Sequence, residues 1–184
     1  MARTVFAPAH RLAAGIRYIP AGDSAWNHDI LNKAWEPGKE HEGHSLDPLH
    51  DYLMGDTRYD LGAQPLQDLI RATGLLDQQA AEVWTLRVLP FEQRVFVDDM
   101  IKRGERVKAH VYAFCHGVMK LEGASGEAGD KLAKCVEDLP SRRMSSDIDR
   151  LCALVGDYCF GVMEEIGAAV IVASRDLSEA EKKS

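Results

Sequence analysis

The sequence predicts an all-α protein, a helical bundle with a long C-terminal central helix and an irregular N-terminal region. Three observations carry that expectation. Apolar residues step by threes and fours over 105–121 and again over 146–173. From residue 47 onward proline and glycine fall where helices begin and end. Before residue 47 that periodicity is missing, and Pro8, Pro20, Gly22, Pro37, Gly38 and Gly43 punctuate the chain instead. The expected organisation is an arm over 1–47 laid on the core, a bundle over 48–176 and a polar tail over 177–184.

Within the arm, "TVFA" and "GIRYI" have the composition of short strands, and one short helix is expected around 26–35. Asp47-Pro48 then offers a capping side chain followed by proline at the first helical position, with Gly55 closing a helix over "PLHDYLM". Pro65 opens "PLQDLIRAT", which puts Leu66, Leu69 and Ile70 on one side and stops at Gly74. Asp77 is expected to cap a helix through Ala80, Ala81, Trp84 and Val88, broken by Pro90, after which a further helix runs through Phe91, Val95 and Met100 to Gly104.

The clearest stripe is Val107, Val111, Phe114, Val118 and Leu121, which predicts one helix over 105–121. Three glycines in "EGASGEAGD" read as a flexible connection, and a short helix over 131–139 should end at Pro140. Ser146 with Asp149 forms a weak capping box for the last helix. Its stripe, Ile148, Cys152, Val155, Cys159, Val162, Ile166, Ala169 and Ala173, spans roughly 27 residues and about 40 Å. Its breadth predicts either the centre of the bundle or a dimer interface.

Composition narrows the function classes. The 184 residues are 46% hydrophobic and 28% charged, an ordinary globular balance that needs no disulfide or metal to supply a core. The formal charge is −7, about −3 from the first sixty residues and about −4 from the rest, so neither part forms the basic surface that a nucleic-acid partner requires. No window approaches the ~18–20 apolar residues of a membrane helix, and the first fifteen residues lack the apolar stretch of a secretory signal. A cytoplasmic protein with no membrane partner is expected. Cys115, Cys135, Cys152 and Cys159 include no CxxC spacing, and the last two lie about 10 Å apart along a helix, so neither a zinc ribbon nor a bridge between those two is expected.

The densest cluster of chemistry-bearing residues is "EHEGHSLDPLHD", residues 40–51, with three histidines and four carboxylates. Imidazole and carboxylate together suit a divalent transition metal such as Zn, Fe or Mn, and three such ligands can leave one position open. The candidate ligands are His41, His44 and His50 with Asp47, or His28 as the alternative fourth. The spacing matches neither HExxH nor the Glu-x-x-His of di-iron bundles. The competing reading is a solvated acidic loop whose histidines carry no chemistry. His110 beside the apolar stripe of its helix reads as a half-buried structural histidine.

With no GxSxG, no phosphate-cradling loop and no cysteine signature, the favoured function is a soluble helical interaction or regulatory protein. Its expected partners are copies of itself and other proteins. The alternative is a small metal-binding protein or metal-dependent enzyme built on the histidine cluster.

Overall fold

The computed structural model describes residues 15–55, 60–142 and 148–181. Seven helices and five strands are described. They are β1 (Ile16–Tyr18), α1 (His28–Lys33), β2 (Glu40–His41), β3 (His44–Ser45), α2 (Asp47–Met54), α3 (Gln64–Thr73), β4 (Val83–Leu86), α4 (Phe91–Lys102), α5 (Arg106–Gly117), β5 (Val118–Glu122), α6 (Gly126–Arg142) and α7 (Ile148–Glu181). The expected all-α class is therefore wrong: a three-stranded antiparallel sheet of order β1-β4-β5 and a separate β2-β3 hairpin accompany the helices.

The sheet forms because its strands pair across long stretches of chain. Ile16 sits opposite Leu86 and Tyr18 opposite Trp84, while Trp84 faces Leu121 on the other side. Ile16, Tyr18, Trp84 and Leu86 are all buried, so the strands present large apolar side chains to the interior while Arg17 between them is exposed. Trp84 meets Phe114 of α5 at a ring separation of 5.8 Å, which joins the sheet to the helical layer. Both sheet edges are blunted: the Arg17 carbonyl accepts the Leu61 N–H, and β5 exposes Lys120.

Two expected helices change at this sheet. Asp77 caps a turn rather than a helix, its Oδ1 accepting from the Gln79 and Ala80 amides, and the chain enters β4 six residues later. The helix expected over 105–121 ends at Gly117, and Val118 to Leu121 belong to β5. Elsewhere the punctuation is obeyed in part: Asp47 does not cap α2, which begins at Asp47 itself after Leu46 with no side-chain cap bond. Asn27 caps α1 with its side-chain oxygen, while Gly55 and Gly74 end α2 and α3 in the left-handed conformation. Helix α6 begins five residues earlier than expected and runs past Pro140. The proposed Ser146 cap lies outside the described residues.

The largest packing contact joins α5 to α7. From Ala109 to Gly117 every residue of α5 except the half-buried His110 is buried. Against it lie Val155, Met163, Ile166, Ala169, Val170 and Ala173 of α7, all at 1% exposure or less. Burial of each large aliphatic side chain contributes about 1.5–3 kcal/mol before conformational entropy is subtracted. The crossing is close because two positions lack side chains. A Cβ on Gly117 would strike the Val170 side chain, and one on Gly167 would strike the His110 carbonyl. Glycine here costs helix propensity and gains contact.

Residues 15–76 join the same core through polar ties. The Tyr52 hydroxyl accepts the Ile19 amide and donates to the Ile19 carbonyl, both at 2.8 Å. Trp26 donates its indole N–H to the Pro20 carbonyl, and its ring lies 5.8 Å from that of Tyr52. Ile16, Tyr18, Ile19, Trp26, Ile30, Leu31 and Leu46 belong to one contiguous apolar cluster with the α5–α7 residues.

Candidate functional site

The histidine cluster occupies the β2–β3 hairpin and the start of α2. Glu42 and Gly43 both take positive φ, +51° and +82°, which builds the tight two-residue turn and sets His41 directly opposite His44. Both imidazoles sit on this short ribbon, His41 half-buried and His44 exposed. Asp47 faces inward to the loop instead: its Oδ1 accepts the Gly38 amide at 2.8 Å and its Oδ2 accepts the Ser45 hydroxyl at 2.9 Å. Those two bonds, the Gly38 amide foremost, hold the Asp47 carboxyl below its ordinary value.

His50 is committed elsewhere, its Nδ1 lying 3.0 Å from the Ala34 carbonyl, to which it must donate. His28 opens α1 and is exposed. Among the described residues no three His, Cys, Asp or Glu side chains are gathered so that they could hold a metal ion. The expectation of metal binding through His41, His44, His50 and Asp47 is corrected accordingly. The carboxylate is occupied with closing the loop, the α2 histidine ties that helix to the end of α1, and only the hairpin pair stands together.

Of the two roles expected for the apolar arc of the last helix, centre of the bundle or dimer interface, the first describes what α7 does within the chain, where it packs against α5. A different face offers apolar surface. On α4, Phe91 is 68% exposed and Val95, one turn on, is 51% exposed. Together with Leu89, Val97 and Ile171 they wall a groove of about 200 Å³, whose lining also includes Arg94, Asp98 and Arg175. Four contacts fix its shape. Ser174 of α7 accepts the Leu89 amide at 3.0 Å and donates to the Val170 carbonyl at 2.6 Å, which pins the approach to α4 onto α7. Arg175 and Asp98 bridge the two helices at 3.1 Å, and the Arg94 guanidinium lies 5.8 Å from the Phe91 ring centre.

A second region gathers around Glu165, which sequence reasoning did not single out. Its Oε1 accepts from the Tyr18 hydroxyl and from the Ala21 amide, each at 2.7 Å. The residue borders two cavities, one polar with Asp23 and Glu82, the other walled by Tyr18, Trp35 and Tyr52. In the polar cavity burial, together with the nearby Asp23 charge, raises the Glu82 carboxyl above its ordinary value. The signal that could have found Glu165 is its place on the stripe: it follows Val162 by three and precedes Ala169 by four, so a carboxylate stands on the inward face of α7.

No family model matches this chain, and no curated protein or solved structure matches it either. No helix among the described residues is long and apolar enough to cross a membrane. The reading of function rests on these surfaces alone.

Proposed function

We propose that the protein is a self-associating interaction protein whose α4–α7 face docks on the same face of a second copy. The observation that carries this is an exposed aromatic ring and a recess on one face: Phe91, 68% exposed, forms part of the wall of an apolar groove of about 200 Å³. An interface with twofold symmetry uses the same patch twice, so the patch must contain both halves of the fit. The lining supports the same choice, because it carries both signs of charge, Arg94 and Arg175 with Asp98, so one copy of the face can be complementary to another. A ring of Phe size fits the groove, and aromatic anchors in central pockets carry much of the energy of such contacts.

This reading keeps the interaction role that the sequence favours and moves it from the long helix to its neighbour. A reducing compartment such as the cytoplasm suits it, since Cys152 is a free thiol. Sedimentation velocity of the full chain is expected to show a dimer at about 100 μM, which dissociates when Phe91→Glu and Val95→Glu are combined. Both side chains are exposed, so the double variant should keep its far-ultraviolet spectrum and melting temperature apart from the contribution of the lost dimer. A wild-type chain that stays monomeric at that concentration, or a double variant that stays dimeric, overturns the proposal.

A further inference from the structure

The geometry points to a small-molecule site in a second cavity, distinct from the α4–α7 groove: the cavity walled by Tyr18, Trp35, Tyr52 and Leu53 takes an organic ammonium ion, with Glu165 as its counter-charge. The cavity measures about 320 Å³, at the small end of ligand sites, so the ligand it suits is an amine with one compact apolar or aromatic group. Its walls are aromatic, and aromatic faces attract cations while also covering apolar surface. Trp35 is 47% exposed and marks the open side, whereas Tyr18 and Tyr52 are buried to 3% and 1% and form the fixed wall.

Among the described residues, Glu165 is the only charged one lining this cavity. Its Oε1 holds the Tyr18 hydroxyl and the Ala21 amide, and its Oε2 accepts no hydrogen bond among the described residues. A carboxylate can accept about four hydrogen bonds, so an acceptor position remains for a ligand N–H. The tie to Tyr18 also matters: it orients the carboxylate before any ligand arrives, which removes part of the ordering cost of binding.

Charge around the site selects the sign of the ligand. The neighbouring polar cavity, which shares Glu165, adds Asp23 and Glu82, and among the described residues neither cavity is lined by a lysine, arginine or histidine. An anion would meet only repulsion. A neutral molecule would gain the aromatic wall and leave the carboxylate unused, while an ammonium gains both. Glu165 bordering both cavities also allows a longer amine to reach from the aromatic wall toward Asp23.

The test is calorimetric titration of the full chain with 2-phenylethylammonium and with its neutral counterpart 2-phenylethanol, at low salt and neutral pH. The ammonium is expected to bind at least about tenfold more tightly than the alcohol. Glu165→Gln keeps an acceptor oxygen for Tyr18 and Ala21 but removes the charge, and should bring the two probes within about twofold of each other. Trp35→Ala, at an exposed position that leaves the core intact, should weaken both probes together. Equal affinity of the wild-type chain for the two probes, no saturable binding of the ammonium up to about 10 mM, or a preference that survives Glu165→Gln overturns the inference.

Discussion

The α5–α7 crossing and the 40–51 hairpin segment are both built from histidine and glycine, yet the two regions use them in opposite ways. At the crossing, Gly167 is required by space: the His110 backbone of α5 occupies the position a side chain would take. In the hairpin, Gly43 is required by backbone angle: no atom lies where its Cβ would go, but φ is +82°. The histidines follow suit. His110 is enclosed, with its side chain 12% exposed and its Nδ1 3.8 Å from Glu164, whereas His44 stands in solvent. The density of a residue type in sequence therefore says little about its energetic weight. What decides is whether a second element closes over it.

The largest consequence should come from filling the crossing. Gly167→Leu must part α5 from α7 or displace the His110 backbone, and is expected to cost about 3 kcal/mol or more in denaturant unfolding, despite leucine's better helix propensity. A loss below about 1 kcal/mol would mean that the helices are not held as closely as their contact implies.

A smaller effect should follow acidification. Burial holds His110 below the ordinary imidazole value, opposed in part by Glu164 and reinforced by Arg106. The unfolded chain therefore takes up the proton first as pH falls below about 6.5, so stability is full above that value and declines toward the lower native one. His110→Gln should flatten this part of the stability profile between about pH 7 and 5.5 relative to the wild type. Parallel profiles for the two proteins would show that the enclosure of His110 does not influence its proton.

The least effect belongs to the hairpin. Replacing His41 and His44 together by alanine is expected to change stability by no more than about 0.5 kcal/mol, and excess Zn²⁺ should leave the melting temperature of the wild type unmoved. Stabilisation by Zn²⁺ that vanishes in the double variant would reverse the comparison, making the exposed pair the functional one.

The helices were legible where chain-local chemistry decides them. Asn27, Gly55 and Gly74 act as the caps their residue types suggest, and Val155, Ile166, Ala169 and Ala173 of the α7 stripe are buried where periodicity places them. The sheet was only partly legible. "GIRYI" reads as a strand on its own, but "VWTL" is four residues long, and Ala80, Ala81, Trp84 and Val88 also satisfy helical spacing. What makes Val83–Leu86 a strand is pairing with residues 16–18 and 118–122, a non-local interaction that no window along the chain contains. Val118 likewise fits the α5 stripe, and only the pairing of Leu86 with it reveals the change of element at Gly117. Of the candidate sites, the histidine segment was visible as composition but its geometry was not, because Asp47 and His50 are drawn toward Gly38 and Ala34. Glu165 was visible as one carboxylate on an apolar face.

The order of strands in the sheet bears on how the chain is made. Strand β4 is central, and its first neighbour, β1, precedes it by about seventy residues, as the pairing of Ile16 with Leu86 requires. During synthesis at roughly 5–20 residues per second, β1 waits on the order of several seconds for its partner to emerge, and the loop it must then close is long. Within the chain already made, Tyr18 and Ile19 meet Tyr52, which in turn meets Trp26. The aromatic contacts around Tyr52 need no residue beyond position 52, so they can form before the sheet they adjoin.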